Sequence, residues 1–476
     1  MEESDLIFTL SGIRGRIEKD LKYDTVKKIA IAFGLLINGK DKKIVIGRDT
    51  RPSGILIEEA IIEGLILSGF EIINFGICPT PVIVHAKNKL NIPFGIIITG
   101  SHNSQEWNGL KLISETTFLN TNDLQIVSIY LENIDLNDFK KIHTISESHI
   151  KNINPITDYI HDLKRFIDIP NIKEKNNLRV VIDSGAGAGN LVTPIILAEM
   201  GCEIKLINNE ILANKDFPRE IEPIKENLRD LIMEVWQGKY DIGFAHDTDA
   251  DRLAIISENG ECYPEDISLA LITDYYLKNL EDNIEQTVFI TNLASSLRFE
   301  AIAEKYNAQV IRTPVGERFL SEKMNDLLAN SSKDRLVFGG EGSCGGIMFP
   351  YFNNTRDGIF AAAKIIEIMV KTEKNISQLV SELPKYYSHR IKINIKNVDT
   401  GSLIIKVKEE LINEGENVEQ IENDLRFGRG KDWFVLIHPS NTEPIIRVIS
   451  EAKRDSLARV YCEATAELVR LVISKR

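Results

Sequence analysis

The chain has 476 residues, with 57 Lys and Arg against 70 Asp and Glu, a net charge of −13 and 43% hydrophobic residues. At about 100–200 residues per domain this predicts roughly three or four domains with sizeable cores, and the acidic balance argues against a nucleic-acid surface. Five scattered cysteines (78, 202, 262, 344 and 462) form no metal-type pair and read as reduced thiols, and runs such as Ile61 to Leu67 are too short to span a bilayer. The acidic start, Met-Glu-Glu-Ser-Asp, lacks an apolar signal core, so a cytoplasmic location is expected.

The pattern alternates from the start. It predicts a strand over 43–47, a helix over about 53–68, a strand over 70–75, a helix over 79–90 and a strand over 94–99. Such alternation implies parallel sheets with crossover helices. It resumes at Leu178 to Asp183 and again at Thr287 to Thr291. Polar stretches near 135–155 and 370–390 read as linkers. Lysine patches such as Lys40 to Lys43 read as solvated turns, and no short repeat or low-complexity segment is present.

The strand over 94–99 runs into Gly100-Ser101-His102-Asn103, followed by Gln105-Glu106-Trp107-Asn108-Gly109-Leu110-Lys111. A serine in a glycine turn at a strand's C-terminal end is expected to be exposed to a crevice. Neighbouring side chains in extended chain point apart, so His102 is not expected to serve as a base for Ser101. A nucleophile elbow also fails, because Asn103 stands where its second glycine belongs. Further on, Ser184-Gly-Ala-Gly-Ala-Gly189 hints at a dinucleotide loop. Its third glycine comes one residue early, and it reads as a tight strand-to-helix turn.

Asp247, Asp249 and Asp251 alternate between two apolar runs, Ile242 to Ala245 and Leu253 to Ile256, which read as buried strands. On an extended loop the three carboxylates face one point, where they repel unless a cation sits among them. Oxygen-only ligands favour Mg2+ first, then Mn2+ or Ca2+. An EF-hand is a rival, with Glu258 at loop position 12, but Arg252 occupies position 6, where that loop needs glycine. The glycine-rich loop Phe338-Gly-Gly-Glu341-Gly-Ser343-Cys344-Gly-Gly346 is approached closely by something, and Glu341 and Ser343 could bind sugar hydroxyls. A last strand, Trp433 to Ile437, runs into His438-Pro-Ser440-Asn441-Thr442-Glu443-Pro-Ile-Ile-Arg447. Small polar side chains and an arginine there make an anion cradle.

These four loops, in this order, resemble the alpha-D-phosphohexomutase family, which includes phosphoglucomutases, phosphomannomutases and phosphoglucosamine mutases. The resemblance runs from Ser11-Gly-Ile-Arg14-Gly15 to the last loop. It takes in Gly47-Arg-Asp49-Thr-Arg51, Asp216-Phe-Pro-Arg219 with Glu222-Pro223, and Thr313-Pro-Val-Gly316. The wording of the serine loop is most similar to phosphoglucosamine mutases and their archaeal relatives. The resemblance implies three similar mixed α/β sheet domains plus a smaller C-terminal α+β domain around a central cleft, divided at 1–150, 151–256, 257–375 and 376–476.

It also implies roles. Ser101 carries a phosphate, and Asp247, Asp249, Asp251 and that phosphate hold Mg2+. Arg252 touches the phosphoserine. Arg14, His102 and Lys111 surround the transferring group, with Lys111 a proton-transfer candidate. Glu341 and Ser343 select the sugar, and Ser440, Asn441, Thr442 and Arg447 grip its other phosphate. The expected reaction moves phosphate between O6 and O1 of a hexose phosphate, with glucosamine phosphate the first choice and glucose or mannose phosphate the alternative. A monomer or homodimer is expected, with a small-molecule sugar phosphate as partner and no nucleic acid or membrane. Three positions depart from the family pattern: His438 where arginine is usual, the extra Cys344, and Glu317 where some members place histidine. A haloacid-dehalogenase-like phosphatase, with an aspartate of the acidic loop as nucleophile, and a non-catalytic sugar-phosphate sensor remain the other readings.

Overall fold

Strands rich in β-branched residues form where both sheet faces are covered. Lys43–Arg48 and Phe94–Ile98 lie side by side and parallel, with Ile44, Val45, Ile46 and Ile96 to Ile98 fully buried. The computed structural model describes residues 6–9, 12–37, 42–139, 149–211, 216–280, 286–330, 335–342, 345–395, 398–440 and 444–474. Ser11, Ser343, Cys344, Asn441 and Thr442 lie outside the described residues.

The first sheet has seven strands, ordered Ile7–Thr9, Gly12–Arg16, Trp107–Ile113, Phe94–Ile98, Lys43–Arg48, Glu71–Ile77 and Ile150–Asn152. Helices Gly54–Leu67 and Thr80–Lys89 make its crossovers. The second orders Ala254–Ser257, Ile242–Ala245, Arg179–Asp183 and Glu203–Ile207. The third orders Gln309–Thr313, Gln286–Asn292, Arg335–Gly340, Ile347–Phe349 and Asn353–Asp357. The fourth is wholly antiparallel, ordered Tyr387–Asn394, Ile445–Ala452, Trp433–Pro439, Asp424–Arg429 and Glu419–Ile421. Helices Thr400–Asn413 and Asp455–Ser474 pack on it. The architecture is therefore three mixed α/β sheets and a C-terminal α+β unit.

The sheets are mixed rather than parallel for a reason that bears on function. A parallel crossover needs a dozen or more residues, and the motif loops are shorter. Each joins antiparallel neighbours: Phe94–Ile98 to Trp107–Ile113, Ile242–Ala245 to Ala254–Ser257, Arg335–Gly340 to Ile347–Phe349, and Trp433–Pro439 to Ile445–Ala452. Every candidate loop is thus a hairpin connection. Each expected linker holds one regular element, and 140–148 of the first lie outside the described residues. Within the first, Ile150–Asn152 is a largely exposed edge strand parallel to Glu71–Ile77, so its polarity reflects an edge rather than a tether. Within the second, Asn375 and Gln378 form a capping box on helix Ile376–Ser381, and polar capping residues looked like linker.

One large core runs through the first three sheets, joining Ile97, Phe244, Phe289, Phe338 and Phe360. The C-terminal unit has its own, around Leu403, Val435, Ile437, Val448 and Cys462. The two bodies meet in a small seam of Leu293 and Leu297 against Tyr386, Phe434, Leu436 and Ile449. Among the described residues, no helix is long and apolar enough to cross a membrane.

Glu451 borders this seam and accepts the Leu297 N–H at 2.6 Å. Burial, with Asp266 nearby, pushes its carboxyl from 4.5 up to about 7. A raised folded pKa contributes stability that is full below the unfolded value and lost as pH rises through the folded one. Urea titrations between pH 4.5 and 8 should show stability falling toward pH 7, and Glu451→Gln should flatten that fall.

Candidate active site

Ser101 follows the buried strand Phe94–Ile98 in a left-handed conformation, φ 49°. Non-glycine residues held there are strained and need surrounding structure to keep them. Arg51 supplies it. Its guanidinium is fully buried, lies 3.2 Å from Asp49 Oδ2, and donates to the carbonyls of Ser101, Asn103, Ser104 and Trp107 at 2.6–2.9 Å. Gly100 permits this, since a Cβ there would stand 2.6 Å from the guanidinium carbon. The loop is therefore a rigid turn wrapped around an arginine.

Two expectations need correction. Ser101 is only 2% exposed, because the acidic loop of the second sheet covers it. Its hydroxyl donates to Asp247 Oδ2 at 3.0 Å. Nor do Ser101 and His102 point apart, for the left-handed turn breaks the extended alternation and places Oγ 3.4 Å from His102 Nδ1. The base role still fails. Arg252 Nη2 lies 2.9 Å from the same Nδ1, and a guanidinium can only donate, so Nδ1 is its acceptor. Burial, then Arg252 and Arg14, hold this imidazole well below its usual pKa and keep it neutral.

The acidic loop converges by a turn rather than by extended alternation. Ala250 is left-handed at φ 55°, and its N–H donates to Asp247 O at 3.3 Å. The glycines of Ser184 to Gly189 serve this turn. A Cβ on Gly187 would stand 2.8 Å from the Thr248 Cα, and one on Gly189 2.9 Å from the Ala250 Cβ. Their lack of side chains is accounted for by loop packing rather than by a nucleotide.

Asp247, Asp249 and Asp251 are buried and offer oxygens all within 4.8 Å of one another. Asp249 Oδ2 accepts from Thr80 Oγ1 at 2.6 Å and Lys111 Nζ at 2.7 Å. Asp251 Oδ2 accepts from Lys111 at 2.9 Å and Arg356 Nη2 at 2.7 Å. The Oδ1 atoms of both are buried with no hydrogen-bond partner. One oxygen of each is thus clamped and the other left for a ligand, as metal-orienting shells do. The trio fits a hard divalent cation. Burial, then Asp249 and Asp251, push the Asp247 carboxyl well above its usual range. Burial would raise Asp251 too, but Arg356, Lys111 and Arg252 outweigh it and hold it low.

Arg14, on the strand Gly12–Arg16, donates to Asn103 Oδ1, and burial followed by Arg252 lowers it to about 10. Burial pulls Lys111 down, but Asp249 and Asp251 more than reverse that and raise its ammonium. In this geometry Lys111 clamps carboxylates. Glu341 joins the centre indirectly: its Oε1 accepts from Asn292 at 2.9 Å and Gly316 N at 3.1 Å, and its Oε2 from Arg356 Nη1 at 3.0 Å. Arg447 lies on the strand Ile445–Ala452, where it pairs with His438, and Ser440 follows the strand Trp433–Pro439, donating its N–H to Ile445 O at 2.9 Å. His438 in turn holds Asp424 at 2.7 Å.

Arg356 escaped the sequence reading. Its three nitrogens reach Glu317 Oε2 at 3.1 Å, Glu341 at 3.0 Å and Asp251 at 2.7 Å. Glu317 also accepts the Arg356 N–H at 2.7 Å and the Thr355 hydroxyl, so it faces inward as a clamp on this arginine. Arg356 precedes Asp357, an N-cap of helix Gly358–Thr372, and looked like ordinary capping sequence. Arg51 was legible only as part of Gly-Arg-Asp-Thr-Arg.

Three mixed sheets with hairpin loops around a buried acidic trio, a serine and a set of arginines define a multidomain α/β enzyme of phosphoryl transfer. Family profiles described as phosphoglucomutase/phosphomannomutase, alpha/beta/alpha domains I, II and III, match residues 5–136, 157–260 and 264–387. The phosphoglucomutase/phosphomannomutase of Thermococcus kodakarensis is 34% identical over 97% of this chain and 98% of its own length. A probable phosphoglucosamine mutase of Pyrococcus horikoshii is 32% identical over 98% of each. A solved phosphoglucomutase/phosphomannomutase family protein of Burkholderia thailandensis shares the fold, with a TM-score of 0.81 at 23% identity over 98% of this chain and 97% of its own. The chain belongs to the phosphoglucomutase/phosphomannomutase family, and it is a phosphohexomutase, an isomerase of carbohydrate metabolism.

Removing one partner of a buried ion pair costs about 3–5 kcal/mol because a charge is left uncompensated. Arg356→Ala takes this cation from Glu317, Glu341 and Asp251, of which Asp251 keeps Lys111. Chemical denaturation should show a loss of at least that order, and Arg356→Lys should restore only part of it.

Proposed function

We propose that the enzyme moves phosphate between O6 and O1 of an amino sugar phosphate, glucosamine 6-phosphate to glucosamine 1-phosphate, through a phosphoserine at Ser101 and a sugar bisphosphate. The observation that carries this is the Ser101 hydroxyl seated on Asp247, beside two carboxylates that each keep an oxygen without a partner. Phosphoryl transfer needs positioning and charge stabilisation more than covalent chemistry. A bound Mg2+, held by Asp247, Asp249, Asp251 and the serine phosphate, would neutralise charge on the transferring group. Arg252, with His102 as its acceptor, faces the phosphoserine. Arg14 lies across the same loop, and Lys111 keeps the carboxylates aimed. Phosphoserine gives its phosphate to O1, the bisphosphate turns over, and the 6-phosphate returns to Ser101.

Glu341 takes a sugar hydroxyl, with Ser343 beside it in sequence. Ser440, Asn441, Thr442 and Arg447 take the second phosphate. The division at 1–150, 151–256, 257–375 and 376–476 belongs to this reading. Each sheet falls almost wholly within one span, although Ile150–Asn152 straddles the first boundary and Ala254–Ser257 the second. The glucosamine preference rests on the wording of the serine loop and the Pyrococcus relative's name. The Thermococcus relative keeps glucose and mannose phosphates as the alternative.

Ser101→Ala should fold, lose nearly all mutase activity and lose the stable extra phosphate seen by intact mass. Wild-type turnover in that variant would end the phosphoserine reading. Asp249→Asn should weaken Mg2+ binding, read by calorimetry, and exhaustive chelation should abolish turnover. Arg447→Ala should raise KM for the sugar phosphate strongly while Ser101 stays phosphorylated.

A further inference from the structure

A cavity of ≈ 560 Å³ opens where the second, third and fourth sheets meet, between Gly342 of the sugar loop, Glu265, Arg298 and Arg390. Three carboxylates line it. Asp266 is taken by Arg298, and Glu451 by the Leu297 N–H. Glu265 differs: its side chain is only partly covered, yet its Oε1 is buried and has no hydrogen-bond partner. The nearest cation to that oxygen in an ion pair is Arg252 Nη1 at 3.9 Å, beyond hydrogen-bond reach.

The backbone around Glu265 is tied to the sugar loop. Ser268 Oγ lies 3.1 Å from Glu265 O and 3.0 Å from Gly345 O. Its side chain reaches the other way, toward Arg252, which meets His102 at the serine. Glu265 therefore stands between the loop that holds the sugar and the group that holds the transferring phosphate. On the proposed function the C1–O1 bond meets the serine phosphate, and C2 is the next ring atom from it.

We infer that Glu265 is the specificity-determining partner of the substrate's 2-ammonium group. This rests on the amino-sugar reading above. A buried carboxylate oxygen without a donor is costly, and a primary ammonium supplies both the charge and the donors. A 2-hydroxyl supplies one neutral donor and leaves more of that cost in place. Burial, partly offset by Arg252 and Arg390, raises the Glu265 carboxyl to about 7, so it can ionise when a cation arrives.

The test compares kcat/KM for glucosamine 6-phosphate and glucose 6-phosphate in wild type, Glu265→Gln and Glu265→Asp, with Ser101 phosphorylation read by intact mass. The ratio of the two constants should fall about tenfold or more in Glu265→Gln, because a site built around a polar substrate group discriminates strongly against its loss. Most of the fall should appear in KM for the amino sugar, and Glu265→Asp should recover part of it. An unchanged ratio, or an equal loss on both sugars, overturns the inference while leaving the proposed function standing. A wild-type enzyme that turns over glucose or mannose phosphate but not glucosamine phosphate overturns both.

Discussion

Three buried carboxylates within 4.8 Å of one another are the constraint on which the rest depends. At such separations each pair of like charges repels by roughly 3 kcal/mol at an effective dielectric near 20. No single loop can hold them there. Lys111 comes from the first sheet and Arg356 from the last strand of the third, and both end on the acidic loop of the second. Ser101 and Thr80 add hydroxyls from the first. The charge that must be neutralised is thus neutralised across unit boundaries. The same three units share one apolar core. Electrostatics and packing agree that they form one body.

Hairpin geometry explains how the parts arrive together. A hairpin connection is the shortest way to present a loop at the end of a sheet, and its strands fix where the tip points. All four motif loops are of this kind. Their short span also explains why conformations other than extended chain dominate in the described ones. Ser101 and Ala250 are both left-handed. Arg51 and the glycines at 187 and 189 exist to keep those turns in place.

Much of this was legible in the sequence, and the misses share a cause. The strands over 43–47, 94–99 and 242–245, and the Asp247, Asp249 and Asp251 trio, stand out because buried apolar runs and repeated carboxylates are local signals. The burial of Ser101 and its approach to His102 were not legible. Both follow from one positive φ angle and from a loop that lies 146 residues away in the chain. Arg356 was invisible for the same reason: its three partners come from three separate elements, and only the folded chain brings them to one guanidinium. Glu317 was noted as a departure from histidine, but its inward role could not be read without Arg356. Inside the stretches read as linkers, the edge strand Ile150–Asn152 and the capped helix Ile376–Ser381 were not legible, because both are polar.

The partition of cores has a mechanical consequence for the proposed reaction. A bisphosphate that turns over must leave a fixed reaction centre and return to it reversed, while its other phosphate is held and released. Rigidity belongs at Ser101 and freedom at the second grip. The acidic trio, Lys111 and Arg356 lock the first three units around Ser101. The C-terminal unit carries Ser440 and Arg447 and has its own core, joined to the rest through a seam of six buried apolar residues. Small interfaces of this kind permit relative motion of the bodies they join. Burial raises the Glu451 carboxyl beside that seam to about 7, which makes the strength of the joint depend on pH, whereas Lys111 and Arg356 tie the other three units together by ion pairs. Ion pairs thus join the units around Ser101 and a small apolar seam joins the C-terminal unit to them, the arrangement that the proposed turnover needs.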